Sequence, residues 1–143
     1  MIVLGIDLGK ARTGLAVSDG GGFLASPLKV VAEHGRDRLI AGILEAAKEV
    51  GAGTLVVGLP RNMDGSEGES AQSAREIGER LAQESGLPVV FWDERGTTVT
   101  AHGYLNDTNV RGKKRKAVVD AVAATVILQS YLDSRRLQGK ERP

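Results

Sequence analysis

Residues 2–9 of the chain read Ile-Val-Leu-Gly-Ile-Asp-Leu-Gly. The apolar run is typical of a buried strand, and Asp7 interrupts it with a carboxylate between Gly5 and Gly9. Burial of an ionised carboxylate costs free energy unless a positive charge compensates it. Glycines beside the carboxylate allow another backbone or a ligand to approach closely. The stretch therefore predicts a core strand whose carboxylate needs a positively charged partner.

Two further carboxylates occur in comparable apolar surroundings. Glu94 follows the apolar run 89–92, and Asp120 lies within the apolar segment 117–132, which has the character of a helix. Three carboxylates at the edges of core elements favour a divalent-metal site that is assembled by folding. Hard carboxylate oxygens suit Mg²⁺ or Mn²⁺. A structural alternative for Asp120 is an ion pair with Arg115 or Lys116.

The composition is that of an ordinary globular domain. Of 143 residues, 41% are hydrophobic and 3% are aromatic, so Val, Leu, Ile and Ala must supply the core. We expect one domain over residues 1–136 and a polar, flexible tail over 137–143. The chain has no cysteine, which excludes disulfides and thiolate zinc sites. No segment has the length of a membrane span, and a cytoplasmic location is expected.

Charge is distributed unevenly along the chain. Residues 1–94 hold 9 basic and 14 acidic side chains, whereas residues 95–143 hold 10 basic and 4 acidic ones. Five cations fall within 111–116, four of them consecutive: Lys113, Lys114, Arg115 and Lys116. Such a run is typical either of a solvated loop or tether, or of contact with nucleic-acid phosphates. Its position just before the helix that carries Asp120 favours nucleic acid.

The order of elements predicts an α/β fold. Apolar periodicity and turn residues indicate strands at 2–8, 15–18, 23–31, 55–58 and 89–92, and helices at 39–50, 74–82, 97–105 and 117–132. Residues 61–70 are polar and are expected to form a loop. This order implies a mixed five-stranded sheet with helices on both faces, the last strands being parallel to the first. Asp7 and Glu94 would then face one crevice at the carboxyl ends of parallel strands.

Five sequence blocks occur together in a fixed order. They are Gly-Ile-Asp-Leu-Gly at 5–9, Gly-Leu-Ala-Val-Ser-Asp at 14–19, Val-Gly-Leu-Pro-Arg-Asn-Met-Asp-Gly-Ser-Glu at 57–67, Asp-Glu-Arg at 93–95 and Asp-Ala-Val-Ala-Ala at 120–124. With these blocks the chain resembles, over residues 1–133, the YqgF family of RNase H-like nucleases. Members of that family are described as pre-16S rRNA nucleases and as Holliday junction resolvases.

The resemblance implies an RNase H-like fold and a phosphodiesterase that depends on Mg²⁺ or Mn²⁺. Asp7, Glu94 and Asp120 match the family's acidic triad, and they would hold two ions about 4 Å apart. Arg12, Arg95 and the basic run 113–116 would orient the phosphate backbone. The segment around Asp64 becomes a candidate substrate contact.

Two positions depart from the family's pattern. Gly96 replaces a bulky apolar residue, and Thr100 stands where an acidic residue is common. All three carboxylates remain, so activity is still expected.

The resemblance favours structured RNA as substrate and processing of the 5′ end of pre-16S rRNA in ribosome biogenesis. Alternatives are a resolvase of branched DNA, which would act as a dimer, and an assembly factor that binds nucleic acid without catalysis. The sequence therefore allows a monomer or a homodimer. The phosphate loop of actin-like ATPases also contains Gly-Ile-Asp-Leu-Gly, but those proteins need two such domains to bind nucleotide.

Overall fold

The computed structural model describes residues 1–9, 12–33, 35–60, 64, 66–93 and 112–137; within the last range, side chains are described for 121–135. The strands are β1 (Val3–Leu8), β2 (Thr13–Ser18), β3 (Ala25–Val31), β4 (Thr54–Leu59) and β5 (Val89–Asp93). The helices in the described ranges are α1 (Arg36–Val50), α2 (Glu69–Ser85) and α3 (Gly112–Leu137).

The five strands form one mixed sheet in the order β3-β2-β1-β4-β5. The pairs β1·β2 and β2·β3 are antiparallel, and the pairs β1·β4 and β4·β5 are parallel. Strands β1, β4 and β5 consequently end at the same end of the sheet, which we call the carboxyl end; the opposite end is the amino end. The predicted mixed α/β sheet is confirmed.

Two hydrophobic clusters lie on opposite faces of this sheet. Helices α1 and α2 cover one face, where Leu4, Ile6 and Val57 are buried. Helix α3 covers the other face, where Val3 and Val56 are buried against it. Alternate residues of β1 and β4 thus enter different clusters, as the twofold side-chain period of a strand requires. Helices on both faces were predicted and are present.

Several predicted boundaries were wrong. The final helix begins at Gly112 and not at 117, so the basic run 113–116 has a helical backbone and is neither a loop nor a tether. Lys and Arg are good helix formers, and a glycine can stand at a helix terminus, which explains the earlier start. Helix α2 begins at Glu69, inside the predicted loop 61–70, after the N-cap residue Gly68. The predicted helix 97–105 lies outside the described residues.

Within the described parts of the chain, no helix combines the length and the apolar composition that crossing a bilayer requires.

Candidate active site

Asp7 lies on the face of the sheet that helix α3 covers. Its neighbours Leu4 and Ile6 enter the cluster beneath α1 and α2, whereas Val3 enters the cluster beneath α3. Because side chains alternate along a strand, Asp7 shares the face of Val3 and Gly5. Residues 3–6 are buried, but Asp7 is half-buried. The carboxylate is therefore held at the boundary between the core and the carboxyl end of the sheet.

Glycines surround Asp7 on that face. Gly14 of β2 is paired directly with Asp7. On the other side, Ile6 is paired with Val57, so Asp7 and Gly58 occupy the next level of the parallel ladder. Gly5 precedes Asp7 by two residues on the same face. None of these three positions bears a side chain, which lets a ligand or another backbone come close to the sheet beside Asp7.

Gly5 permits the close approach of helix α3. A Cβ atom at this position would lie 2.8 Å from the Cβ atom of Leu128 and 3.3 Å from the carbonyl oxygen of Ala124. The first distance is shorter than any ordinary carbon–carbon contact. Helix α3 thus packs on the backbone of β1 two residues before Asp7.

Hydrogen bonds of Gln129 fix the direction of helix α3. Its side-chain oxygen accepts from the backbone N–H of Ala25 at 2.8 Å, and its amide nitrogen donates to the carbonyl of Phe23 at 2.9 Å. Both partners lie at the turn into β3, at the amino end of the sheet. Since Ala124 and Leu128 lie over Gly5, the earlier turns of α3 extend towards the carboxyl end, where β1 ends.

Position 120 belongs to one of these earlier turns. The backbone there is helical, and it precedes Ala124 by four residues and Ile127 by seven. Residues at these spacings share one face of a helix, and Ala124 and Ile127 are buried against the sheet. Asp120 therefore occupies the sheet-facing stripe of α3, about one turn closer to the carboxyl end than Ala124. Its side chain lies outside the described part of the chain.

The second predicted ligand follows β5. Leu59 of β4 is paired with Asp93, the last residue of β5, so β4 and β5 end at the same level. Adjacent strands are about 4.8 Å apart, which places β5 about 10 Å from β1 across β4. Glu94 is the next residue in the sequence, and it lies outside the described residues, as does Arg95.

Arg12 lies at the carboxyl end, in the turn that connects β1 with β2. The backbone N–H of Gly9 donates to the carbonyl of Arg12 at 3.0 Å and closes this turn. A Cβ atom at Gly9 would collide with that same carbonyl oxygen, so the turn requires a glycine. The structure thus brings Arg12 to the end of the sheet at which Asp7 lies. The cations of the basic run occupy the first turns of α3, with side chains outside the described part.

Among the side chains that the structure describes, no three carboxylate, imidazole or thiol groups lie close enough to share an ion. Of the three predicted ligands, Asp7 has a described side chain, and Glu94 and Asp120 do not. The chemistry of the set still fits a hard cation, because carboxylate oxygens are the ligands that Mg²⁺ and Mn²⁺ prefer.

Three carboxylates in turns and loops have defined partners. Asp19 accepts from the backbone N–H groups of Phe23 and Leu24 at 2.7 and 3.2 Å, and these hydrogen bonds lower the pKa of the Asp19 carboxyl. Asp64 accepts from the N–H and the hydroxyl of Ser66. Glu67 binds Arg75 through both of its oxygens. These groups shape loops, and the sequence alone carries no signal for the Glu67–Arg75 pair.

Comparison with known proteins identifies relatives over almost the full length of the chain. A sequence model of the RuvX family, described as Holliday junction resolvase, matches residues 1–134. A protein of Anaeromyxobacter sp. (strain Fw109-5), provisionally named a pre-16S rRNA nuclease, is 47% identical over 135 residues, covering 94% of this chain and 98% of that protein. A protein of Geobacillus thermodenitrificans (strain NG80-2) with the same name is 44% identical over 142 residues, covering 95% and 100%.

Solved structures share the architecture. Thermus thermophilus RuvC in complex with a Holliday junction substrate superposes with a TM-score of 0.61 at 20% identity, over 95% of this chain and 96% of that one. The fowlpox virus Holliday junction resolvase gives a TM-score of 0.55 at 12% identity, over 94% and 99%. At these identities the likeness establishes the fold, which is RNase H-like. From the family model and the full-length relatives, the chain belongs to the RuvX family and is a nuclease, a hydrolase of phosphodiester bonds.

Proposed function

We propose that the chain is a metal-dependent nuclease that processes the 5′ end of pre-16S rRNA. The observation that carries the metal site is the position of Asp7: half-buried, flanked by Gly14 and Gly58, and on the face that helix α3 covers. The substrate is taken from the full-length relatives, which are provisionally named pre-16S rRNA nucleases. Processing of rRNA precursors would take place in the cytoplasm.

Asp7, Glu94 and Asp120 are the proposed ligands of Mg²⁺ or Mn²⁺. Three points support this set: the shared end of β1 and β5, the course of α3 towards that end, and the place of Asp120 on its sheet-facing stripe. When bound, the cation supplies a water of lowered pKa and positive charge for the leaving oxygen. The three carboxylates would hold the cation at the carboxyl end of the sheet, where Asp7 lies at the edge of the core.

Basic side chains orient the substrate in this proposal. Arg12 lies at the turn that follows β1, at the same end of the sheet as Asp7, and this position places it where a phosphate next to the scissile bond would lie. Arg95 and the basic run 113–116 extend the positive surface along the backbone of the nucleic acid. The chain has few aromatic residues for base stacking, so recognition rests on shape and phosphates rather than on base identity.

A second candidate function is resolution of four-way DNA junctions. The description of the RuvX family and the RNase H-like fold shared with the Thermus thermophilus RuvC favour it. A resolvase must cut two strands symmetrically and would act as a homodimer, whereas a processing nuclease can act as a monomer.

A cleavage panel separates these functions. The purified protein is incubated with Mg²⁺ or Mn²⁺ and with a pre-16S rRNA 5′ fragment, an unstructured RNA or a four-way DNA junction, and its mass in solution is measured. Asp7→Asn serves as the control for a contaminating nuclease. Cleavage of the rRNA fragment alone supports the proposal, and paired cuts in the junction by a dimer replace it with the resolvase. Binding without cleavage of any substrate indicates an assembly factor.

A further inference from the structure

An ion pair anchors the end of the segment between β4 and α2. Glu67, two residues before helix α2, accepts from Nε of Arg75 at 2.8 Å and from a terminal nitrogen of the same guanidinium at 2.7 Å. This bidentate arrangement fixes the carboxylate in orientation as well as in distance. The hydrogen bonds with Glu67 raise the pKa of Arg75 above its ordinary value.

The same guanidinium also contacts strand β5. Its central carbon lies 5.2 Å from the centroid of the Phe91 ring, within the range of a cation–π interaction. The Phe91 ring is seated against α2, because a Cβ atom at Gly78 would lie 2.6 Å from two of its ring carbons. Arg75 therefore touches both the segment after β4 and the strand that leads into Glu94.

These contacts join two segments that leave the carboxyl end of the sheet. One runs from Leu59 through Asp64 to Glu67, and the other is β5, whose last described residue is Asp93. The other ion pairs of α2 among the described residues join different elements: Arg36–Glu76 and Arg80–Asp37 connect helices α1 and α2, and Arg80–Glu84 lies within α2. In the described part of the chain, Arg75 thus contacts both segments, through Glu67 and through Phe91.

We propose that Arg75 is a positioning residue for the nuclease reaction. Through Glu67 it orders the segment after β4 against the substrate, and through Phe91 it holds β5 and so the start of the segment that carries Glu94. This inference rests on the proposed function, because it requires catalysis at the carboxyl end of the sheet. Misplacement of a reacting group by about 1 Å costs up to about a hundredfold in rate. Loss of the Arg75 contacts should therefore lower kcat.

A purely structural role predicts a different outcome. The side chains of Arg75 and Glu67 are 41% and 26% exposed, and ion pairs of such exposure contribute little to stability. Arg80 provides a matched control, since it lies on the same helix, is 38% exposed and binds two carboxylates, Asp37 and Glu84. If Arg75 only stabilised the fold, Arg75→Gln and Arg80→Gln would behave alike.

The test compares kinetics with stability. We expect Arg75→Gln and Glu67→Gln each to lower kcat by about tenfold or more, with KM and Tm close to those of Arg80→Gln. The double variant should be no slower than either single variant, because both act through one contact. Arg75→Lys should recover little of the rate, since an ammonium cannot make the bidentate contact. Faster amide exchange over 64–68 should accompany the loss of rate.

Two results overturn the inference. The first is a kcat for Arg75→Gln equal to that of Arg80→Gln, and the second is a rate loss that follows Tm across all variants. Asp7→Asn separates this failure from failure of the proposed function. If Asp7→Asn cleaves as well as the wild type, the catalytic site itself is wrong. If Asp7→Asn is inactive and Arg75→Gln is fully active, the positioning role alone is wrong.

Discussion

Asp7 is the residue on which the proposed chemistry depends most directly. We expect Asp7→Asn to lower cleavage by more than about a hundredfold, as loss of a charge that acts at the reaction centre does. The fold should persist, because Asp7 is half-buried and an amide of the same shape fits its place. Cleavage rates and the metal-free Tm are measured together. Asp37→Asn is a matched control, since that side chain is 89% exposed and lies on helix α1.

Metal binding gives a second readout for the same residue. A cation that binds the folded state raises Tm, so Mn²⁺ should stabilise the wild type and Asp37→Asn alike. Asp7→Asn should lose most of this rise. An equal rise in all three proteins would mean that the cation binds elsewhere.

Asp19 gives the fold a dependence on pH. Two backbone N–H groups hold the pKa of its carboxyl below the ordinary value. A depressed folded-state pKa contributes stability above the unfolded pKa of about 3.9, and this contribution is lost as the pH falls through the folded pKa. Asp19→Asn cannot ionise, so its Tm deficit relative to the wild type should be largest at neutral pH and should shrink below about pH 4. A constant deficit in thermal scans from pH 7 to 3 would contradict this.

At the scale of elements, the contact between β1 and α3 sets the position of Asp120. Gly5→Ala would drive a Cβ atom against Leu128 and should destabilise the fold by about 1–3 kcal/mol through overpacking. Gly20→Ala is the matched control, because a Cβ atom there meets nothing within 4 Å. Denaturant unfolding measures both variants. If Gly5→Ala is as stable as Gly20→Ala, helix α3 is free to shift, and the close packing described here is not essential.

The strands were predictable because their apolar runs are long and bounded by turn residues. Helix boundaries were less predictable. Gly68 caps α2 without a side-chain hydrogen bond, so the sequence offers no capping side chain that marks the start of the helix. In the same way, the apolar pattern predicts a start at 117 for the final helix and does not include the run of cations at 113–116, which the helix contains. Asp7 was identifiable from a carboxylate in an apolar strand. The Glu67–Arg75 contact could not be predicted from the sequence. The pair joins a loop to the second turn of a helix, and sequence spacing alone does not specify such a contact.

At the scale of the whole molecule, the basic run 113–116 of the C-terminal half lies in the first turns of helix α3, ahead of Asp120. Successive residues of a helix are about 100° apart, so the four cations at 113–116 surround the helix axis and cannot all face one strand of nucleic acid. Lys113 and Lys116 precede Asp120 by seven and four residues and share its stripe. Lys114 and Arg115 fall outside that stripe. The two pairs carry equal charge and differ in position, which makes each the control for the other.

Salt dependence of binding distinguishes them. Each lost phosphate contact lowers the slope of log affinity against log salt by about 0.7–0.9. The double variant Lys113→Ala, Lys116→Ala should therefore lower the slope by about 1.4–1.8, and Lys114→Ala, Arg115→Ala by clearly less. Fluorescence anisotropy across a salt series, with Asp7→Asn as background to prevent cleavage, measures both. If both variants lower the slope by the same amount, the four cations act through their overall charge and not through particular phosphate contacts. If neither variant changes the slope, the basic run contacts no phosphate.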